Sequence, residues 1–141
     1  MTIDTCTSKR NGRQWFWEGD GGLLAFYYGE AFQDAVLSSM EILQKWFMFN
    51  HTENPLQEPL YVRLAVYSDS LNYSASDEII KRNDAVKKVF EMESSYTPKN
   101  ALCITKNSAR HLDRIILDNF CRLPRTGSWD LLCYQISMED K

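Results

Sequence analysis

Arg13-Gln14-Trp15-Phe16-Trp17-Glu18-Gly19-Asp20-Gly21-Gly22-Leu23-Leu24-Ala25-Phe26-Tyr27-Tyr28 is the stretch whose reading decides the fold. Two aromatic-rich, β-prone runs flank a short glycine-rich turn, which predicts a hairpin with strands at 13–18 and 22–28. Glycine supplies the positive φ that so tight a turn requires. The turn holds one carboxylate, Asp20, beside backbone N–H groups, an arrangement suited to metal or phosphate chemistry. The same residues also make an ordinary Asp-Gly hairpin with a solvated acid.

Working outward, residues 1–12 are polar and unpatterned and are expected to be loose. Residues 30–48 place Phe32, Val36, Met40, Leu43 and Phe47 at spacings of three and four, the signature of an amphipathic helix. A polar stretch with two prolines, 51–59, reads as a loop. Leu60, Val62, Leu64 and Val66 alternate along a strand at 60–67. A polar connection leads to a cap at Ser76 or Asp77 and a second helix over 79–93. Residues 101–105 form a short buried strand, and 108–120 a third helix with Leu112, Ile115, Ile116 and Phe120 inward. The turn at 124–128 leads into a last strand at 129–136. The order is β-β-α-β-α-β-α-β, in one domain over 13–141 that follows a flexible N-terminus over 1–12.

At 141 residues the chain suffices for a single core, and 44% hydrophobic with 25% charged residues is ordinary globular composition. A net charge of −3 gives no general attraction to nucleic acid or to acidic membrane. No window holds the roughly 18 consecutive apolar residues that a membrane span needs. The N-terminus lacks a basic region followed by an apolar run, so a cytoplasmic location is expected. Cys6, Cys103, Cys121 and Cys133 are far apart in sequence and read as buried, reduced thiols. His51 and His111 lack ligand-like spacing, which argues against zinc.

Five segments in this order resemble the class III nucleotide cyclase homology domain. The run 18–26 is similar to the family's Gly-Asp-Gly-hydrophobic-hydrophobic-Ala-Phe hairpin, and Val62-Arg63-Leu64-Ala65-Val66 to its Val-Arg-hydrophobic-Gly-hydrophobic strand. A helix separates the two. Arg82-Asn83-Asp84-Ala85-Val86-Lys87 falls where the family opens a helix with Asn-x-Ala-x-Arg, and Ala101-Leu102-Cys103-Ile104-Thr105 resembles a strand ending in Ser or Thr. The resemblance implies an α+β fold: a ferredoxin-like, cyclase-type sheet with helices on one face. The activity it implies is conversion of a nucleoside triphosphate into a 3′,5′-cyclic nucleotide and pyrophosphate, with two Mg²⁺ or Mn²⁺ ions held by two carboxylates. Asp20 matches the second metal carboxylate, Asn83 the ribose-orienting asparagine, and Lys87 the transition-state arginine. Lysine there keeps the charge and loses the bidentate fork. Phe16 stands where purine cyclases carry a base-reading Lys or Glu. An aromatic there is closer to the bacterial pyrimidine cyclases, and equally to a plain strand residue. Arg125 stands near the family's triphosphate-contacting Lys-Gly loop.

The departures are specific. Only 19 residues precede Asp20, and Asp4 is the sole acid among the first 17, without the Asp-hydrophobic-x-Gly-Phe context of the first metal ligand. The family's first strand and first metal carboxylate therefore have no counterpart here, which leaves two sheet edges in want of a partner. Ala65 replaces a glycine where the strand approaches its partner closely. The expectation is a degenerate cyclase-like domain, silent by itself and acting as a regulatory, dimerising or nucleotide-binding half in a homo- or heterodimer. One alternative is an active cyclase, pyrimidine-directed, completed by its partner. Another is a protein–protein interaction domain using Trp46 and Phe47 at the end of the long helix.

Overall fold

Ala101-Leu102-Cys103-Ile104, the most apolar run of the chain, is wholly buried and forms the central strand of the molecule. A strand apolar at every position needs cover on both faces, whereas a half-solvated strand alternates. The computed structural model describes residues 2–18, 21–27, 29–52, 61–69, 76–124 and 127–136. In chain order the elements are α1 (Thr2–Ser8), β1 (Arg13–Glu18), β2 (Gly21–Ala25), α2 (Ala31–Thr52), β3 (Arg63–Val66), α3 (Asp77–Lys81) and α4 (Asp84–Glu91). A π-helical turn (Met92–Tyr96), β4 (Ala101–Thr105), a 3-10 helix (Lys106–His111), α5 (Arg114–Leu117), β5 (Cys121–Arg122) and β6 (Leu131–Gln135) follow.

The fold is α+β, with the strands in two sheets. β1 and β2 form an antiparallel hairpin of their own, with a register shift between Gln14 and Phe16. The other sheet runs β3-β4-β6-β5, with β3 parallel to β4 and the remaining pairs antiparallel. The parallel pair needs a crossover, which α3 and α4 supply.

Helices cover both faces of the four-stranded sheet, which corrects the expectation of helices on one face. Leu64, Val66, Leu102, Ile104 and Leu132 pack with Val36 and Leu43 of α2 and with Leu112. Ala65, Ala101, Cys103, Leu131 and Cys133 pack on the opposite side with Met92, Tyr96 and Trp129. Each fully buried Val, Leu, Ile or Met among them contributes about 1.5–3 kcal/mol, and the alanines less. The second face went unread because its residues are small (Ala65, Ala101, Cys103), and their cover comes from a distant helical turn.

Three local expectations are also corrected. The polar N-terminus carries a helix, α1, whose Cys6 is fully buried. Ser38 Oγ of α2 donates to the Cys6 carbonyl at 3.0 Å, and Lys9 and Arg10 meet Glu41 of α2 at 2.7 and 2.8 Å. The expected helix over 79–93 breaks at Arg82–Asn83, where Asn83 takes extended backbone angles. The expected helix over 108–120 is two short helices separated by extended Leu112 and Asp113, which leaves Ile115 83% exposed. The amphipathic helix expected at 30–48 is present and runs on to Thr52. Trp46 and Phe47 are partly buried on it, while their neighbour Met48 is exposed.

Candidate functional site

Helix α4 opens at the carboxyl ends of β3 and β4, because a crossover between parallel strands runs antiparallel to both. Its first residues hold two of the sequence-derived positions. Asn83 is the N-cap, and its Oδ1 accepts the Ala85 backbone N–H at 2.8 Å. That bond satisfies one of the donors that every helix start leaves unpaired. Lys87 lies one turn further on and is exposed. Ala85 and Val86 of the same turn are buried, which fixes the direction of the helix.

The hairpin docks on this same region. Phe16 is 6% exposed and stacks on Phe90 of α4, with ring centroids 5.9 Å apart. Ile80 and Val86 complete a small cluster with it. Lys81 sets its ammonium 5.5 Å above the Phe16 ring and pairs with Glu18 at the end of β1. The end of β1 and the last residue of α3, 63 positions apart in sequence, are thereby held together. The Phe16 ring is thus occupied by Phe90 and Lys81 in this structure. Asp20 and Arg125 lie outside the described residues.

A feature that the sequence reading passed over lies at the same end of the sheet. An open cleft of about 460 Å³ is lined by Ser68 after β3, by Thr105 at the end of β4 and Ser108 beyond it, and by the cations Lys88, Lys106 and Arg110. Thr105 caps the 3-10 helix: the Ser108 backbone N–H donates to its Oγ1 at 3.3 Å, and the two hydroxyls stand 2.8 Å apart. Asp130 also faces the cleft, but it is bound by Arg122 through two hydrogen bonds of 3.2 and 3.0 Å. The acid being neutralised, the local field favours an anion. In sheets with parallel strands, ligands characteristically bind outside the carboxyl ends. The available signal in the sequence was Lys106 and Arg110 at i, i+4, directly after a strand ending in Thr.

Among the described residues, no group of three His, Cys, Asp or Glu side chains is placed to hold a metal ion. Among the same residues, no helix is long and apolar enough to cross a membrane. No protein-family model, curated protein or solved structure matches the chain.

Proposed function

We propose that this domain is a cyclase-like nucleotide-binding half, without turnover of its own, that works in a dimer. The carrying observation is the cationic cleft at the carboxyl ends of β3 and β4, beside the start of α4. Lys88, Lys106 and Arg110 suit a polyphosphate, and Asn83 and Lys87 stand at the same end of the sheet. Asp20, between β1 and β2 in sequence, supplies the carboxylate for Mg²⁺ or Mn²⁺ in this reading. A single carboxylate gives weak metal affinity, and the two-metal arrangement needs a second one from a partner. The open ladders support a dimer: among the described residues β3 pairs only with β4, and the hairpin strands pair only with each other. Such edges are where another strand adds.

Calorimetric titration of each of the four nucleoside triphosphates with Mn²⁺ tests the proposal, on the native chain and on the Lys106→Ala/Arg110→Ala and Asp20→Ala variants. The expected result is binding that the double variant abolishes and Asp20→Ala weakens. No heat with any triphosphate, from folded protein, overturns it. Sedimentation of the same samples reads the dimer, and a monomer at every concentration removes that part.

A further inference from the structure

Three of the four cysteines stand in one row across three adjacent strands. Cys103 of β4 is directly opposite Cys133 of β6, and Cys133 is directly opposite Cys121 of β5. Residues directly opposite on antiparallel strands point to the same face. Cys103 and Cys133 are buried and Cys121 is exposed. The row therefore leads from solvent into the core.

The two pairs differ in kind. Lys106 N–H donates to the Asp130 carbonyl at 2.9 Å, which makes that pair a hydrogen-bonded one. Counting back three residues along each strand, Cys103 and Cys133 form a non-hydrogen-bonded pair, the type with the closer side chains. Leu123 N–H donates to the Leu131 carbonyl at 3.0 Å, so Cys121 and Cys133, two residues along, form a hydrogen-bonded pair. Typical Cα separations are about 4.5 Å and about 5.5 Å for the two types. Both lie in the range of about 4.4–6.8 Å that a disulfide spans.

We propose that Cys121, Cys133 and Cys103 form a peroxide-responsive thiol relay that carries oxidation from the surface to the core. In the first step the Cys121 thiolate attacks hydrogen peroxide. The O–O bond breaks, sulfur gives up two electrons and becomes a sulfenic acid, and hydroxide leaves to take up a proton as water. Cys133 then attacks the Cys121 sulfur, the S–OH bond breaks, and the departing hydroxide takes the Cys133 proton as a second water. Finally the Cys103 sulfur attacks Cys133. The Cys121–Cys133 bond breaks, Cys121 leaves as thiolate and takes the proton released by Cys103. The closing disulfide joins β4 to β6 at the narrower pair and returns Cys121 to the thiol state. This relay is independent of nucleotide binding.

Trypsin places the three cysteines on separate peptides, 100–106, 115–122 and 126–141, so mass spectrometry reads each linkage directly. The full chain is treated with one equivalent of hydrogen peroxide, and samples are quenched with iodoacetamide over time. In the native chain a Cys121–Cys133 linkage should precede a Cys103–Cys133 linkage, with Cys121 alkylatable at the end. Cys121→Ser, at an exposed position, should slow the core linkage by roughly tenfold or more, since peroxide must then reach buried sulfur. Cys103→Ala should stop the sequence at Cys121–Cys133. Should that variant fail to fold, the order of the two linkages in the native chain decides alone. Equal rates of core linkage with and without Cys121, or oxidation of Cys121 that never links to Cys133, would overturn the relay.

Discussion

Lys81, the last residue of α3, reaches back across 63 positions to pair with Glu18 at the end of β1, and its ammonium also lies over the Phe16 ring. Two forces thus hold the hairpin on the helices, and their sizes differ. The ion pair is exposed, with 31% and 62% of the two side chains accessible, and such pairs contribute about 0–1 kcal/mol. Phe16 is buried, and truncating a buried phenylalanine costs about 3–5 kcal/mol. Phe16→Ala should therefore lower the urea midpoint severely, whereas Lys81→Met should cost less than about 1 kcal/mol. Equal losses in the two variants would mean that the ion pair, not the ring, holds the hairpin.

Asn83 separates a structural from a ligand-facing role. Its Oδ1 accepts from the Ala85 N–H, so Asn83→Ala should cost about 1 kcal/mol in thermal or denaturant unfolding. Asn83→Ser and Asn83→Asp retain a capping oxygen and should be close to native in stability. If these two also lose triphosphate affinity, the amide has a second role besides the cap. If affinity follows stability through the series, the cap is the whole of its contribution.

What was legible in the sequence was whatever a local pattern determines. The spacing of Phe32, Val36, Met40 and Leu43 locates α2, and the unbroken run 101–105 locates the central strand. Elements settled by a distant partner were not legible. Helix α1 contains only seven residues and is held against α2 through the Cys6 carbonyl and, just past its end, through Lys9 and Arg10, none of which its own composition announces. β5 is two residues long and exists because Leu131, Leu132 and Cys133 offer it an edge. In the candidate site, Asn83 and Lys87 could be found from a motif. The cleft could not, because Ser68, Lys88, Thr105 and Arg110 come from four separate segments that only the tertiary fold brings together.

Gly22 is required by closeness of approach. A Cβ there would stand 2.6 Å from the Phe16 carbonyl oxygen and press into the Trp17 ring. Backbone in a paired strand does not yield, so Gly22→Ala should destabilise by about 1–3 kcal/mol, as overpacking does. Gly21 has nothing within 4 Å of the same position, and Gly21→Ala should stay within about 0.5 kcal/mol of native. A melting comparison of the two single variants tests the hairpin packing directly. A Gly22→Ala protein as stable as Gly21→Ala would show that Trp17 and the strand can shift aside.

Glu41 ties α2 to the N-terminal segment and gives it a dependence on pH. The hydrogen bond from Lys9, and next that from Arg10, hold its carboxyl down to about 2 from a usual 4.5. The folded protein thus keeps Glu41 ionised where the unfolded chain has begun to take up a proton. Its contribution is fully present above about pH 4.5 and is lost as pH falls through about 2. Between those values the unfolded state binds more protons, so stability rises with pH. Melting temperature followed from about pH 6 down to about pH 2 should fall more steeply for the native chain than for Glu41→Gln, which carries no titrating group at this position. Because Lys9 is half exposed, added salt should narrow the difference between the two proteins. Parallel curves for the native and Gln proteins, at low salt, would mean that the cluster of Lys9, Arg10 and Glu41 contributes nothing to holding α1 on α2.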